Sequence, residues 1–393
     1  MHTVQRDSEH VLSQRGQGST LAPVMDGQNR MVERGRRAKV LDGRQVAREW
    51  NLELKAEADR LAGMLGRKPA LCVILVGNRP DSVLYVKKKE EISQEVGIDT
   101  HVVRLEASIS MDGLRGAVKS ACRDPAMDGV LVQLPLPRSL DEEGIMCDFD
   151  PQKDVDGFHV LNMGRMLMRN RSPRFIPCTA LGCMRLLDWH RIDVHDKTAV
   201  VVGDSNIVGL PLSTLLRDRG TAIVTVCHGA SYRECFDDGK AMQQKRVAAS
   251  ACHPPLPGPS MSWGLHACGP SSQEPACGDA AIAAQFHDYR LPEITRTADI
   301  LVVAVGHPNL VQRNWVKPGA VVLDIGINVT PYDGANLEDC HADYHLTGDV
   351  AFEEVSEIAS AISPVPGGVG PMTTSSLMHN TLLAARHRCA GDW

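Results

Sequence analysis

The sequence predicts an α/β protein of two domains, each built on a parallel sheet. Two blocks of short Val/Ile/Leu-rich runs alternate with helical segments, a pattern typical of strands that helices cover on both faces. The 393 residues suffice for two domains with substantial cores. Pro173 and Pro177 lie between the blocks, within residues 171–179, and favour an extended linker at the join.

The first block alternates strands and helices in short steps. Its predicted strands are residues 70–77, 101–105 and 129–134. Its predicted helices are residues 44–65, 81–96 and 112–123. Helices between consecutive strands favour parallel pairing, because a parallel connection must cross back over the sheet.

The second block holds four further apolar runs. They are residues 198–204, 221–227, 299–306 and 320–328. The first run leads through a tight turn into a helix start, which is the setting in which doubly wound sheets bind a phosphate. We therefore expect the second domain to be a Rossmann-type doubly wound parallel sheet.

Two segments fall outside this pattern. Residues 1–37 form an N-terminal extension that lacks the apolar core of a secretory signal and carries several acids, which are rare in organellar transit peptides. Residues 231–290 are rich in Pro, Gly, Ser and Ala and are predicted to be a mobile insertion between two strands. The insertion contains Cys252, His253, His266 and Cys268, but their spacing matches no zinc module, so we expect no metal.

The C-terminal stretch, residues 363–388, predicts a loop followed by a helix. Its glycines allow a tight turn and close approach of the backbone to a ligand, and they are Gly367, Gly368 and Gly370. Thr373 or Thr374 is the expected N-cap of the helix. One face of that helix should contain Leu377, Thr381 and Ala384.

Composition excludes several classes of function. The formal net charge of −6 gives no reason to expect binding to nucleic acid or to an acidic membrane surface. The sequence contains no run of about 18 apolar residues, so no transmembrane helix is predicted. The 12 cysteines are scattered singly, which favours reduced thiols in a cytoplasmic compartment. A mitochondrion or plastid is the alternative location.

The turn after residues 198–202 is the candidate nucleotide site. Gly203 matches the first position of a Gly-x-Gly-x-x-Gly pattern, Ser205 replaces the second glycine, and the last glycine is displaced to Gly209. The alternative is an ordinary strand-to-helix turn of a doubly wound sheet. The next strand ends at His228 and Gly229, which supply neither the acid nor the base expected at a ribose or 2′-phosphate.

The helix at residues 81–96 carries the candidate catalytic lysine. Ser82, Tyr85 and Lys89 are spaced i, i+3 and i+7 and therefore share one face. Lys87 should face solvent, and Lys88 should lie on a flank. If the shared face lines a cleft, Tyr85 offers a flat ring for a planar ligand and Lys89 an amine for proton transfer. The alternative is a solvated charge run.

Two further segments supply candidate partners for this lysine. Gln133 ends a buried strand, where open α/β sheets place ligands, although a strand-end amide often binds only loop backbone. Asp154 and Asp156 lie in a Gly-containing loop. Acids in such loops are commonly turn formers, but a carboxylate can also accept two parallel hydrogen bonds from an amino-pyrimidinone edge.

Seven motifs in order resemble the bifunctional methylenetetrahydrofolate dehydrogenase/methenyltetrahydrofolate cyclohydrolase family. They are SVLYVKKK (82–89), GVLVQLPLP (129–137), PQKDVDGFH (151–159), PCTALG (177–182), VVGDSNIVGLP (201–211), TGDVAF (347–352) and PVPGGVGPMT (364–373). The resemblance covers about residues 38–230 and 291–390, and QLPLP and PVPGGVGPMT are its most specific parts.

The resemblance implies an architecture and an activity. A folate-binding domain of residues 38–178 and 361–390 would face an NAD(P)-binding domain of residues 179–360 across a cleft. The enzyme would oxidise 5,10-methylenetetrahydrofolate with NADP+ and hydrolyse the methenyl product to 10-formyltetrahydrofolate. A homodimer through the Rossmann domain is implied as well.

The resemblance also implies roles for individual residues. Lys89 would be catalytic, Gln133 would orient it, Tyr85 would pack on the folate, and Asp156 would hold the pterin edge. Further folate contacts would come from Ser82, Pro366, Gly367, Gly368 and Val369. The nucleotide would contact Gly203, Asp204, Ser205, Ile207, Val208, His228 and Gly306.

The chain departs from the family pattern at the nucleotide site. Asp204 and Gly229 stand where members usually have Arg and Ser, the residues expected to hold the 2′-phosphate of NADP. A carboxylate at Asp204 would repel that phosphate, so NAD is an alternative cofactor. Glu91 also replaces a frequent second lysine. Two alternatives remain: a cyclohydrolase with decayed dehydrogenase activity, and a non-catalytic protein that binds folate or nucleotide.

Overall fold

A computed structural model describes residues 24–25, 31–32, 37–229, 291–331 and 344–391. The chain divides into two units, residues 1–37 and residues 38–393. In the first, strand β1 (Val24–Met25) pairs antiparallel with β2 (Met31–Val32), and the remaining description applies to the second. The predicted insertion at residues 231–290 lies outside the described residues.

The first sheet is parallel and has three strands. They are β4 (Ala70–Val76), β5 (Asp99–Leu105) and β6 (Gly129–Val132), in the spatial order β5-β4-β6. Strand β4 is buried along its whole length because it is central and covered on both faces. Val130 of β6 also pairs with Asp154, which brings the loop after residue 150 alongside the sheet.

Three helices connect or precede these strands, and each has a physical start and stop signal. Helix α1 (Gly43–Leu65) is capped by the Asp42 side chain, which accepts from two backbone amides, and it ends at the left-handed Gly66. Helix α2 (Pro80–Val96) begins with proline and ends at Gly97. Helix α3 (Met111–Arg123) is capped by Ser110.

The second sheet is also parallel, with six strands. In chain order they are β3 (Lys39–Val40), β7 (Thr198–Val202), β8 (Ile223–Cys227), β9 (Ile300–Val303), β10 (Val321–Asp324) and β13 (Ala361–Ile362). Their spatial order is β3-β13-β10-β9-β7-β8. The chain reverses direction across the sheet between β7 and β9, so their carboxyl ends form the switch point at which doubly wound sheets bind ligands.

Shorter elements complete the described chain. The helices are α4 (Glu142–Met146), α5 (Val160–Leu167), α6 (Cys178–Trp189), α7 (Gly209–Asp218), α8 (Leu291–Thr295) and α9 (Phe352–Ser356), with a 3-10 turn at Arg313–Trp315. Strands β11 (Asn328–Pro331) and β12 (Tyr344–Thr347) form an antiparallel pair.

The long C-terminal helix α10 (Val369–Ala390) packs against α1 and α6 and is buried along most of its length. The predicted shared face of Leu377, Thr381 and Ala384 is confirmed, because all three are at most 1% exposed. The predicted cap at Thr373 or Thr374 is wrong. The N-cap is Gly368, five or six residues earlier, and the helix begins at Val369, because the glycine turn already redirects the chain and the Gly368 amide donates to the Pro364 carbonyl.

The α/β class with parallel sheets is confirmed, and the seven predicted strands and three predicted helices match described elements to within a few residues. The six-stranded sheet also includes β3 and β13, whose residues the sequence-based boundaries assign to the other domain. The exact domain boundaries stay a prediction. No helix in the described ranges is both long and apolar enough to cross a membrane.

Candidate active site

Lys89 and Gln133 meet at the carboxyl edge of the first sheet. The Lys89 ammonium donates to Gln133 Oε1 at 2.8 Å. Gln133 Nε2 donates to the Leu134 carbonyl at 2.6 Å, which fixes which end of the amide faces the lysine. Lys89 of α2 and Gln133 at the end of β6 thus form a hydrogen-bonded pair of defined orientation.

Helix α2 turns the right lysine inward. Val86 and Val96 are fully buried and anchor the helix on the core. Lys87 and Lys88 are exposed, whereas Lys89 is partly buried, so the side chains fall on the sides that helical geometry predicts. The charge-run interpretation therefore holds for Lys87 and Lys88 but not for Lys89.

Ser82 lies seven residues, about two helical turns, before Lys89 on the same face. It is only 2% exposed. Within the described ranges its hydroxyl has no hydrogen-bond partner. A buried hydroxyl without a partner is unfavourable, so this side chain is suited to a ligand that supplies one.

The two acids of the 151–158 loop have different surroundings. Asp154 is 2% exposed and accepts from the amides of Phe158 and His159 and from Asn162 Nδ2, at 2.8–3.2 Å. Burial raises the pKa of Asp154 to about 7, although these hydrogen bonds act in the opposite direction. Asp154 therefore holds the loop together from the inside.

Asp156 instead lies close enough to Lys89 for the two charges to interact. Part of it reaches the surface, yet the surrounding protein raises the pKa of its carboxyl above the ordinary value. The Lys89 charge and a hydrogen bond with the Cys178 thiol lower that pKa. The structure thus brings together Lys89, Gln133 and Asp156, from a helix, a strand end and a loop, and adds Cys178, to which sequence reasoning gave no role.

The glycine loop before α10 is held against the start of α1. Gly367 has φ 115° and accepts from the Arg44 amide at 3.1 Å. Gly368 approaches Gly43 so closely that a Cβ on Gly43 would lie 1.7 Å from the Gly368 carbonyl oxygen. Val369 is buried, and Pro366 follows a cis peptide bond. The described contacts of this loop are to α1 rather than to Lys89.

The turn after β7 has the form expected of a phosphate site. Gly203 has φ 109°, and a Cβ there would lie 2.3 Å from the Ala304 carbonyl oxygen at the end of β9. Ser205 Oγ accepts from the Val208 amide at 3.2 Å, so the serine shapes the turn from within. Asp204 and Ile207 are exposed above the first turn of α7, and His228 follows β8 on the neighbouring strand.

A buried carboxylate organises the opposite side of the switch point. Asp349 is fully buried and accepts from the amides of Val305, Gly306 and His307 at 2.7–2.9 Å. Asn328 Nδ2 also donates to it at 2.8 Å. The loop that carries Gly306 is therefore pinned by one side chain.

Asp324 extends this arrangement to the next strand. It is 3% exposed and accepts from the amides of Gly326, Asp349 and Val350 at 2.9–3.0 Å. Burial raises the pKa of Asp324 to about 7. Sequence reasoning missed both acids, although Asp324 is the last residue of β10, in the motif LDIG, and Asp349 comes two residues after β12, in the motif TGDV.

Metal ligands are not grouped in this part of the chain. Within the described ranges, no three His, Cys, Asp or Glu side chains lie together as a metal site would require. Cys252, His253, His266 and Cys268 lie outside those ranges.

Two family models match most of the chain. The tetrahydrofolate dehydrogenase/cyclohydrolase catalytic domain matches residues 41–156. The NAD(P)-binding domain of the same family matches residues 177–245 and 278–389.

Relatives span nearly the whole chain. Bifunctional protein FolD 4, chloroplastic, from Arabidopsis thaliana is 39% identical over 351 residues, covering 89% of this chain and 79% of that protein. Bifunctional protein FolD from Erythrobacter litoralis is 37% identical over 354 residues, covering 90% and 97%. A mitochondrial FolD 1 from Arabidopsis thaliana also matches, at 36% identity.

Solved structures show the same architecture. The bifunctional FolD enzyme from Campylobacter jejuni is 34% identical with a TM-score of 0.68, covering 89% of this chain and 99% of its own. The Trypanosoma brucei FolD, solved with NADP and an inhibitor, is 31% identical with a TM-score of 0.70, covering 90% and 99%. With this fold, this arrangement of Lys89 and its neighbours and these relatives, the chain belongs to the tetrahydrofolate dehydrogenase/cyclohydrolase family.

Proposed function

We propose that the protein oxidises 5,10-methylenetetrahydrofolate with NAD(P)+ and hydrolyses the resulting 5,10-methenyltetrahydrofolate to 10-formyltetrahydrofolate. The observation that carries this proposal is the oriented Lys89–Gln133 pair, with Asp156 beside it, in a chain of this family. An amine, an amide and a carboxylate that converge from three separate elements are typical of a site for proton transfer.

Substrate binding is assigned to the face of α2 and to the loops around it. The ring of Tyr85 packs on the folate, and the unpartnered hydroxyl of Ser82 is available to it. Asp156 accepts hydrogen bonds from the amino-pyrimidinone edge of the pterin, a bidentate geometry that suits a carboxylate. The loop of Pro366, Gly367, Gly368 and Val369 closes the pocket by its backbone, because glycines permit close approach.

Hydrolysis needs a group that moves protons. Water adds to the cationic methenyl carbon and loses one proton, which leaves a hydroxyl on that carbon. The hydroxyl then loses its own proton while the ring nitrogen gains one and the carbon–nitrogen bond breaks, leaving the formyl group. Lys89 is the group placed to transfer these protons, and Gln133 holds it in position. Cleavage of the ring requires no metal in this scheme.

The nucleotide is assigned to the switch point of the six-stranded sheet. The turn at Gly203, Asp204 and Ser205 presents the amino end of the ten-residue helix α7, and Ile207 and Val208 line its start. His228 contributes from the end of β8. An added Cβ on Gly306 would meet no atom within 4 Å, so the backbone there has room for a ligand. Bound NAD(P)+ would supply the hydride acceptor at this position.

Cofactor preference and dehydrogenase strength depend on Asp204. Its carboxylate is exposed on the turn where the adenosine end of the nucleotide is assigned. A negative charge there disfavours the 2′-phosphate that distinguishes NADP from NAD. This observation favours NAD, and it also makes a cyclohydrolase with weak dehydrogenase activity the second candidate function.

A second copy of this chain is the proposed partner. Among the described strands β8 pairs only with β7, so it forms an edge of the sheet. Ile223 is 57% and Val226 39% exposed on that edge. An exposed apolar edge strand is suited to pairing with another chain.

The cytoplasm is the proposed compartment. All seven cysteines in the described ranges are free thiols, in keeping with a reducing compartment.

Substitution of the catalytic lysine tests the function most directly. We expect Lys89→Met to lower kcat for hydrolysis of methenyltetrahydrofolate by at least about 10²-fold, because proton transfer by a positioned group contributes at this scale. Lys87→Met on the same helix is the matched control and should retain normal hydrolysis, since Lys87 is exposed. Near-normal hydrolysis by Lys89→Met would contradict the assignment, and loss of absorbance of the methenyl compound provides the assay.

The nucleotide assignment predicts a measurable preference. The ratio kcat/KM for methylenetetrahydrofolate oxidation should be at least about tenfold higher with NAD+ than with NADP+, since one repulsive charge pair separates the two cofactors. Asp204→Asn should narrow that ratio by restoring activity with NADP+. Strong selectivity for NADP+ in the unmodified protein would refute this role of Asp204. Hydrolysis without any oxidation would establish the second candidate function, and inactivity in both assays would leave only a binding protein.

The proposed homodimer can be measured by sedimentation. A mass of about twice 42.7 kDa is expected for the full chain, and Val226→Lys should shift the equilibrium toward the monomer by placing a charge on the edge strand. A monomeric unmodified protein would contradict the dimer. An unchanged dimer in the variant would move the interface away from β8.

A further inference from the structure

The loop of Asp156 packs directly on a second segment of backbone. Gly157 has φ 78°, and a Cβ there would lie 2.8 Å from the Pro177 nitrogen and 3.2 Å from the Phe175 carbonyl oxygen. No side chain fits between the two segments. The position of Asp156 therefore depends on how this loop is fixed to residues 175–177.

One side chain of α10 joins both segments. Asn380 is 1% exposed, and its Nδ2 donates to the Val155 carbonyl at 2.8 Å and to the Ile176 carbonyl at 2.9 Å. An amide nitrogen has two hydrogens, so these two bonds use its full donor capacity. The Val155 carbonyl belongs to the peptide unit that leads into Asp156, so this contact fixes the plane from which the Asp156 side chain departs.

The same amide also contacts the thiol beside Asp156. Cys178 Sγ lies 3.6 Å from Asn380 Nδ2 and 3.4 Å from the Val155 carbonyl oxygen. Cys178 is buried at the start of α6. Asn380 thus touches the peptide before Asp156, the segment packed against its loop, and the thiol next to its carboxyl, whereas Lys89 is held separately by Gln133.

We propose that Asn380 is a positioning residue for Asp156, acting from the C-terminal helix more than two hundred residues along the chain. The inference rests on the proposed function, since it assigns to Asn380 control over folate binding through Asp156. Without the two donors the loop loses its attachment to α10, and Asp156 moves relative to the pterin edge. Small displacements of positioned groups have large kinetic effects.

The test uses Asn380→Ala together with Thr381→Ala as its matched control. Thr381 is the next residue of α10 and fully buried, but its hydroxyl donates only to Leu377 within the helix. Both variants therefore remove a buried polar side chain from the same part of α10, but only Asn380→Ala removes the hydrogen bonds to the loop of Asp156. Asn380→Ser, which keeps one donor, provides an intermediate case and decides the question if Asn380→Ala does not fold.

Steady-state constants distinguish positioning from general destabilisation. For Asn380→Ala we expect the KM for the folate to rise about tenfold in both oxidation and hydrolysis, with a smaller rise for Asn380→Ser and none for Thr381→Ala. The KM for NAD(P)+ should stay unchanged, because the switch point is held by other residues. Equal effects of Asn380→Ala and Thr381→Ala, or an equal rise in both KM values, would overturn the inference. Absence of any folate turnover by the unmodified protein would instead overturn the proposed function.

Discussion

The loops that carry the candidate site depend on buried carboxylates that accept the hydrogen bonds of loop backbone. A loop at the end of a parallel strand exposes amides that no neighbouring strand can pair, and burying them without acceptors is costly. Asp154 supplies acceptors to the loop that carries Asp156, and Asp349 supplies them to the loop of Gly306. Asp324 in turn accepts from the amide of Asp349 and so fixes the second carboxylate. These bonds hold the loops through contacts within the chain itself.

Because of this arrangement, the few side chains of the proposed site are held in position by supporting contacts. Lys89 is positioned by a rigid helix and by the amide of Gln133, which is itself anchored on Leu134. Asp156 is positioned by a loop that Asp154 ties together and that Asn380 ties to α10. Sites built on supported elements keep their geometry better than sites on free loops. Asp154, Asp349 and Asp324, which are buried, therefore serve loop backbone, whereas Asp156, the acid proposed to bind substrate, is partly exposed.

Sequence reasoning found the residues whose geometry is local. Helical spacing from Tyr85 was sufficient to separate Lys89 from Lys87, because the repeat of an α-helix fixes relative directions within one element. Gln133 was identifiable from its place at a strand end. The roles of Asp154 and Asp156 could not be told apart from their spacing, because a separation of two positions in a loop does not show which carboxylate is buried.

Contacts between residues far apart along the chain could not be predicted from the sequence, for physical reasons. Strands β3 and β13 have two residues each, too short to show any period. Asn380 and Cys178 matter only because α10 and α6 bring them to a loop some distance away along the chain. The start of α10 was misplaced because threonines are good caps, while the actual turn is made by glycines whose backbone needs no side-chain cap.

Amide hydrogen exchange on the unliganded protein tests most directly whether the site loops are preorganised. The amides of Phe158, His159, Val305, Gly306 and His307 all donate to buried carboxylates. If those bonds hold the loops, these amides should exchange as slowly as amides within the buried strands β4 and β9, without folate or nucleotide. Exchange at the rate of an unstructured peptide, slowing only when ligand is added, would contradict the account.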